Sequence, residues 1–114
     1  CGHPHPLIAY NDKIVTLDKG STVLGMFPVL PEIKISKLKI SKGFDLFSYT
    51  DGLIEIQNAY GDYYGSSKIK NLFESGRKDP EEFIELVKED VNNFKGNNIS
   101  LDDTTLLMIS AKNV

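Results

Sequence analysis

Two acidic sites, one with a single aspartate and one with a pair, carry the chemistry this chain could do. Asp51-Gly52 closes the apolar run Leu46-Phe47-Ser48-Tyr49-Thr50, and Asp102-Asp103 opens the apolar run Thr104-Thr105-Leu106-Leu107-Met108-Ile109. If the two runs are neighbouring antiparallel strands, the end of one lies beside the start of the other, and Asp51, Asp102 and Asp103 share one rim of a sheet. Converging carboxylates repel one another unless a proton, a cationic side chain or a hard divalent cation such as Mg²⁺ or Mn²⁺ sits among the oxygens. Taken singly, each site has a plainer reading: Asp-Gly after a strand is ordinarily a turn, and an acidic loop before a strand is ordinarily solvated. The combination is what points to an oxygen-ligated cation. Mg²⁺ takes only one or two carboxylates directly and completes its shell with water.

Other chemistries have less support. Cys1, His3 and His5 put a thiol and two imidazoles in one short segment, nominally a zinc set. Their spacing does not match finger-type sites, no second ligand pair follows, and Pro4 and Pro6 suit a proline-fixed strand entry better. No phosphate-cradling glycine loop, nucleophile elbow or Ser-His-Asp set is present, so no catalytic side chain is assigned. Lys37, Lys39 and Lys42 suit a solvated face. Tyr60, Tyr63 and Tyr64 suit packing around Gly61 and Gly65 rather than a base-stacking platform.

The elements that must position the acids follow from the pattern of the chain. Leu7-Ile8-Ala9-Tyr10 and Lys13-Ile14-Val15-Thr16-Leu17 are β-prone runs joined by Asn11-Asp12, residues that tolerate positive φ in a tight hairpin. Residues 18–31, broken by Gly25, Pro28 and Pro31, form a partly buried loop. From Glu32 to Ile40 the apolar positions alternate, slip at Ser36-Lys37 and resume, which predicts a strand with a bulge. Phe44 to Thr50 suits an interior strand. Leu53 to Asn58 fits one or two helical turns. Ser66 or Ser67 would cap a helix carrying Ile69, Leu72 and Phe73 and ending at Gly76. Asp79 caps the next helix, with Pro80 in its first turn, Glu82 placed for a capping box, and Phe83, Leu86, Val87, Val91 and Phe94 on one stripe before Gly96. Strands, then helices, then a strand predict an α+β fold, with a largely antiparallel sheet covered by helices on one side.

At 114 residues and 40% hydrophobic content the chain fits a single domain, 1–114, with enough apolar residues for a core. Thirteen Lys and Arg against 16 Asp and Glu leave a net charge of -3, so no basic field favours nucleic acid or an anionic membrane surface. One cysteine excludes an internal disulfide and is compatible with a reducing, cytoplasmic setting. No apolar run approaches the roughly 20 residues that cross a bilayer. A start at Cys1 rather than Met, followed almost at once by a strand-like segment, suggests a piece of a longer protein.

Taken in order, Cys1-Gly2-His3-Pro4-His5-Pro6, Gly20 with Leu24-Gly25, Lys42-Gly43 leading to Tyr49-Thr50-Asp51-Gly52-Leu53-Ile54-Glu55, Gly61-Asp62-Tyr63-Tyr64-Gly65 and Asp102-Asp103-Thr104-Thr105-Leu106-Leu107 form a series. It resembles the metal-dependent PPM (type-2C) protein serine/threonine phosphatases, in the bacterial branch typified by the stage II sporulation protein E and the sigma-factor regulatory phosphatases. The resemblance runs over nearly the whole chain. It implies the C-terminal portion of a PPM-type catalytic domain, part of an α-β-β-α sandwich that holds two Mn²⁺ or Mg²⁺ ions. In that family the ions activate a water for direct attack on phosphoserine or phosphothreonine without a phosphoenzyme.

The resemblance places metal ligands at Asp51, in the Thr-Asp-Gly motif, and at Asp102, the first acid of the Asp-Asp-x-Thr motif, with Asp103 in a supporting role. His3 falls near a further metal-site acid of eukaryotic relatives and is not assigned a metal. The implied partner is a phosphoprotein such as an anti-sigma-factor antagonist. The sequence also departs from the family pattern. The Asp-x-x-Gly-His-Gly-type motif that bridges both metals is not among these residues, so the isolated chain is expected to be inactive. A half sandwich with open sheet edges would be prone to self-association. The alternative is a non-enzymatic, phosphatase-like binding or regulatory module.

Overall fold

The computed structural model describes residues 3–77, 79–99 and 102–112. Along the chain run β1 (Leu7–Tyr10), β2 (Lys13–Thr16), β3 (Gly43–Tyr49), α1 (Asp51–Ile54), α2 (Ser66–Gly76), α3 (Pro80–Lys95) and β4 (Leu106–Lys112). The strands form one antiparallel sheet in the order β2-β1-β3-β4, and the fold is α+β as the pattern predicts.

The β1-β2 hairpin closes at Tyr10 and Lys13 through Asn11 (φ 47°) and Asp12 (φ 61°). Two left-handed residues in a row match the twist that a two-residue hairpin turn needs, and Asn and Asp tolerate it best. Asn11 also holds the approach to β3, donating from Nδ2 to the Lys39 carbonyl at 3.2 Å and accepting from Ser41 Oγ at 2.9 Å.

β3 is interior because both faces of its alternation are apolar. On one face Phe47 and Tyr49 enter the core with Leu7 and Ala9 of β1, Phe73 of α2, and Phe83 and Val87 of α3. Phe47 meets Phe83 edge-on at 5.0 Å between ring centroids and lies nearly parallel to Phe73 at 6.4 Å. Offset and edge-on pairs of this kind add about 0.5–1.5 kcal/mol each beyond area burial. On the other face, Ile8, Leu46 and Ile109 stand in register across three strands, outside the helix-covered core.

α3 forms as its sequence dictates. The Asp79 side chain accepts from the Glu82 N–H at 3.0 Å, Pro80 needs no donor in the first turn, and Gly96 (φ 57°) ends the helix. Phe83, Val87 and Val91 are buried, with Leu86 and Phe94 packed partly against them. The part-buried ion pair Arg77 Nε to Asp45 Oδ2, at 2.9 Å, ties the end of α2 to β3, and Ser110 Oγ of β4 donates to Asp45 Oδ1 at 2.6 Å.

Several expectations are corrected. Residues 32–40 form no strand: their alternation is right for a sheet, but a strand needs a neighbour for its N–H and C=O groups. The segment is held instead by isolated bonds, such as Lys34 N–H to the Gly20 carbonyl at 3.0 Å, and Ile33 and Ile35 are exposed. The preceding loop is partly buried only at Ser21 and Thr22, while Leu24, Met26, Phe27 and Val29 all lie in solvent. Neither serine caps α2. Its cap is Gly65, and Ser66 is already helical, because the φ of 78° required there suits only glycine. Gly76 is the last residue of α2, where a Cβ would approach Leu86 Cδ2 at 2.5 Å. Of the three tyrosines only Tyr64 is buried, while Tyr60 is 90% exposed. The last strand begins at Leu106, two residues later than its apolar run.

Candidate metal-binding rim

The end of β3 and the start of β4 pair as Tyr49 with Leu106. One residue beyond, the pairing continues through a side chain. Thr50 N–H donates to the Thr105 carbonyl at 3.1 Å, and Thr105 N–H donates to Thr50 Oγ1 at 2.9 Å. The next residue, Asp51, opens α1, and its N-cap is Thr50 in extended conformation. α1 is short, closed by Leu53 N–H to the Thr50 carbonyl and Glu55 N–H to the Asp51 carbonyl, both at 3.0 Å. Asp-Gly here is a helix start rather than a hairpin turn.

Gly52 explains how the two loops come so close. It is buried, and its φ lies outside the left-handed region, so conformational freedom is not its purpose. A Cβ at Gly52 would run into the Asp103 carbonyl oxygen, with the carbonyl carbon at 3.0 Å and Thr104 Oγ1 at 3.3 Å. The loop carrying Asp102 and Asp103 therefore lies directly on the first turn of α1. Asp102 shapes that loop itself, its Oδ1 accepting from Asp103 N–H at 2.8 Å.

The rim thus brings Asp51, Asp102 and Asp103 into two adjoining loops, and all three residues are exposed. The geometry suits hard oxygen donors that keep part of a cation's water shell. Among the described residues no group of three His, Cys, Asp or Glu side chains is close enough to hold a metal ion. Exposed carboxylates are hard oxygen donors, of which a water-bearing cation such as Mg²⁺ takes one or two. Of the zinc set, His3 and His5 are exposed, and the ring Nδ1 of His3 lies 2.7 Å from the Pro4 carbonyl oxygen, within hydrogen-bond range. Cys1 lies outside the described residues.

The sequence motifs contain Thr50, Gly52 and Thr105 beside the acids, but their role in joining the two segments emerges only from the structure. Their signal is the repetition of small and hydroxyl residues beside each aspartate, Thr-Asp-Gly on one side and Asp-Asp-Thr-Thr on the other. A second network, Tyr64 OH donating to Asp90 Oδ2 at 2.6 Å, fixes the loop after α1 to α3. Burial, followed by the neighbouring Asp90, pushes the Tyr64 phenol above its usual range. Among the described residues no helix is long and apolar enough to cross a membrane.

No curated protein and no solved structure matches the chain. A protein-family model does, over residues 1–112: that of stage II sporulation protein E. With that match spanning both aspartate motifs and the strands that present them, the chain belongs to the stage II sporulation protein E family of PPM-type phosphatases.

Proposed function

We propose that this chain supplies the Asp51 and Asp102 side of the catalytic centre in a metal-dependent protein serine/threonine phosphatase, acting on a phosphorylated regulatory protein such as an anti-sigma-factor antagonist. The observation that supports it is the pinning of the start of α1 to the Asp102–Asp103 loop by the two Thr50–Thr105 hydrogen bonds and the close approach of Gly52 to Asp103. Asp51 and Asp102 would hold Mn²⁺ or Mg²⁺, and Asp103 would shape the second loop. When bound, the ions supply polarisation of the phosphoryl oxygens and a water of lowered pKa. The chain's own hydrogen bonds fix the backbone that carries both aspartates, which leaves only their side chains to order when the cation arrives. The further acids of a two-ion centre would come from outside these 114 residues, which is why we propose that the isolated chain binds a cation weakly and turns over no substrate.

Mn²⁺ titration followed by paramagnetic broadening of backbone amides tests the assignment. Broadening centred on residues 51–52 and 102–103, and lost in both Asp51→Asn and Asp102→Asn, is the expected result. Broadening elsewhere, or unchanged in those variants, refutes it. Metal-dependent hydrolysis of p-nitrophenyl phosphate by the 114-residue chain, abolished by Asp51→Asn, would overturn the claim that further acids are needed.

A further inference from the structure

Asp51 does not sit on a flat surface. It lines a cavity of about 890 Å³ whose other walls come from residues 3–6 and 17–23 and from Pro31, Glu32 and Lys34, with Ile54 beside it. We propose that this cavity is a groove for the polypeptide flanking a phosphoserine or phosphothreonine, and that Lys34 selects substrates with an acidic residue near the phosphorylated one. The inference rests on the phosphatase reading of Asp51 and adds a substrate preference to it.

Size argues first. Cavities that enclose whole small molecules run to roughly 300–1,000 Å³, so this one exceeds what a phosphoryl group needs and has room for neighbouring residues. The wall chemistry suits an extended chain. One side is stiffened by Pro4 and Pro6, and the other is the loop of residues 17–23.

Charge argues next. Lys34 is pinned to the facing wall through its backbone bond to Gly20. Its ammonium makes no ion pair among the described residues, whereas Lys19 is already near Asp18, at 3.9 Å. With Asp51 engaged by a cation, Glu32 and Lys34 are the cavity charges left to meet a substrate. They impose a polarity: an acid is favoured near Lys34 and disfavoured near Glu32.

The test uses the 114-residue chain and three fluorescein-labelled phosphoserine peptides, with acidic, neutral or basic flanks, measured by anisotropy with and without Mn²⁺. The acidic peptide should bind best. Lys34→Gln should weaken it about fivefold, the upper scale of one solvent-accessible ion pair, and leave the neutral peptide within twofold. Lys34→Arg should retain the preference, and Lys34→Glu should shift it toward the basic peptide. Equal losses for all peptides, no change with any variant, or absence of saturable binding overturns the inference. So does binding that maps by amide shifts to the opposite end of the sheet around Lys42 and Lys112. Failure of the phosphatase reading is distinguishable: Mn²⁺ then adds nothing to affinity and Asp51→Asn is silent, while the Lys34 preference is still readable.

Discussion

Replacing Gly52 by alanine isolates the contact on which the rim depends. The added methyl meets the Asp103 carbonyl group and Thr104 Oγ1. Two of these obstacles are backbone atoms, which cannot rotate away as a side-chain tip can. Forcing a methyl into such a contact costs about 1–3 kcal/mol. Alanine recovers about 0.5–1 kcal/mol of helix propensity at a helical position, so the net loss should reach up to about 2.5 kcal/mol. For a chain of this size that is a fall in Tm of up to about 15 °C.

Relief must come from parting the two loops, which lengthens the Thr50 to Thr105 bonds and separates Asp51 from Asp102. Mn²⁺ affinity should therefore fall by about tenfold or more, the range seen when groups that orient metal ligands are lost. Thermal unfolding and Mn²⁺ titration on the same samples give both quantities. Gly20→Ala is the control, since a Cβ there meets nothing within 4 Å. A Gly52→Ala protein with unchanged Tm, unchanged Mn²⁺ affinity and unchanged amide shifts at residues 102–105 refutes the reasoning.

Thr50→Val removes the acceptor for Thr105 N–H and should cost about 1 kcal/mol, with Thr50→Ser near wild type in urea midpoints. Phe47→Ala empties the centre of the core, where the ring is fully buried against Phe73 and Phe83, and should cost about 3–5 kcal/mol by urea titration. Asp79→Ala removes the cap on α3 and should cost about 0.5–2 kcal/mol, read as a lower thermal midpoint. Tyr64 and Tyr49 are both held above the usual phenol range, chiefly by burial. A group whose folded pKa is raised stabilises fully below its unfolded value, so stability should decline as pH rises past about 10. Tyr64→Phe should make that alkaline decline shallower, and an unchanged slope in urea midpoints between pH 9 and 11 refutes the assignment.

The acids were legible in the sequence because antiparallel pairing converts strand order directly into proximity: a strand ending in Asp51 and another opening after Asp102 must share a rim. The hairpin and α3 were legible because each is specified by adjacent residues, Asn11-Asp12 in one case and Asp79-Pro80 in the other. Residues 32–40 alternate as a strand does yet form none, because alternation describes one segment, whereas a strand is a property of two. Gly52 has the local chemistry of a turn residue, and only the arrival of Asp103 reveals why a side chain is excluded. Arg77 with Asp45 and Tyr64 with Asp90 lie far apart in the chain and follow no periodicity, so nothing local announces them.

The pinning of the two loops also sets an order of events during synthesis. Thr50 and Thr105 are 55 residues apart, and the second of them leaves the ribosome after all three helices. Until β4 docks on β3, Asp51 stands at the end of a strand paired on one edge only, with β1, and its companion loop is missing. A nascent chain therefore carries only one of the two aspartate segments in place, and a polypeptide stopped before Thr105 should keep its helices' sequence and yet lack the pairing that assembles this rim.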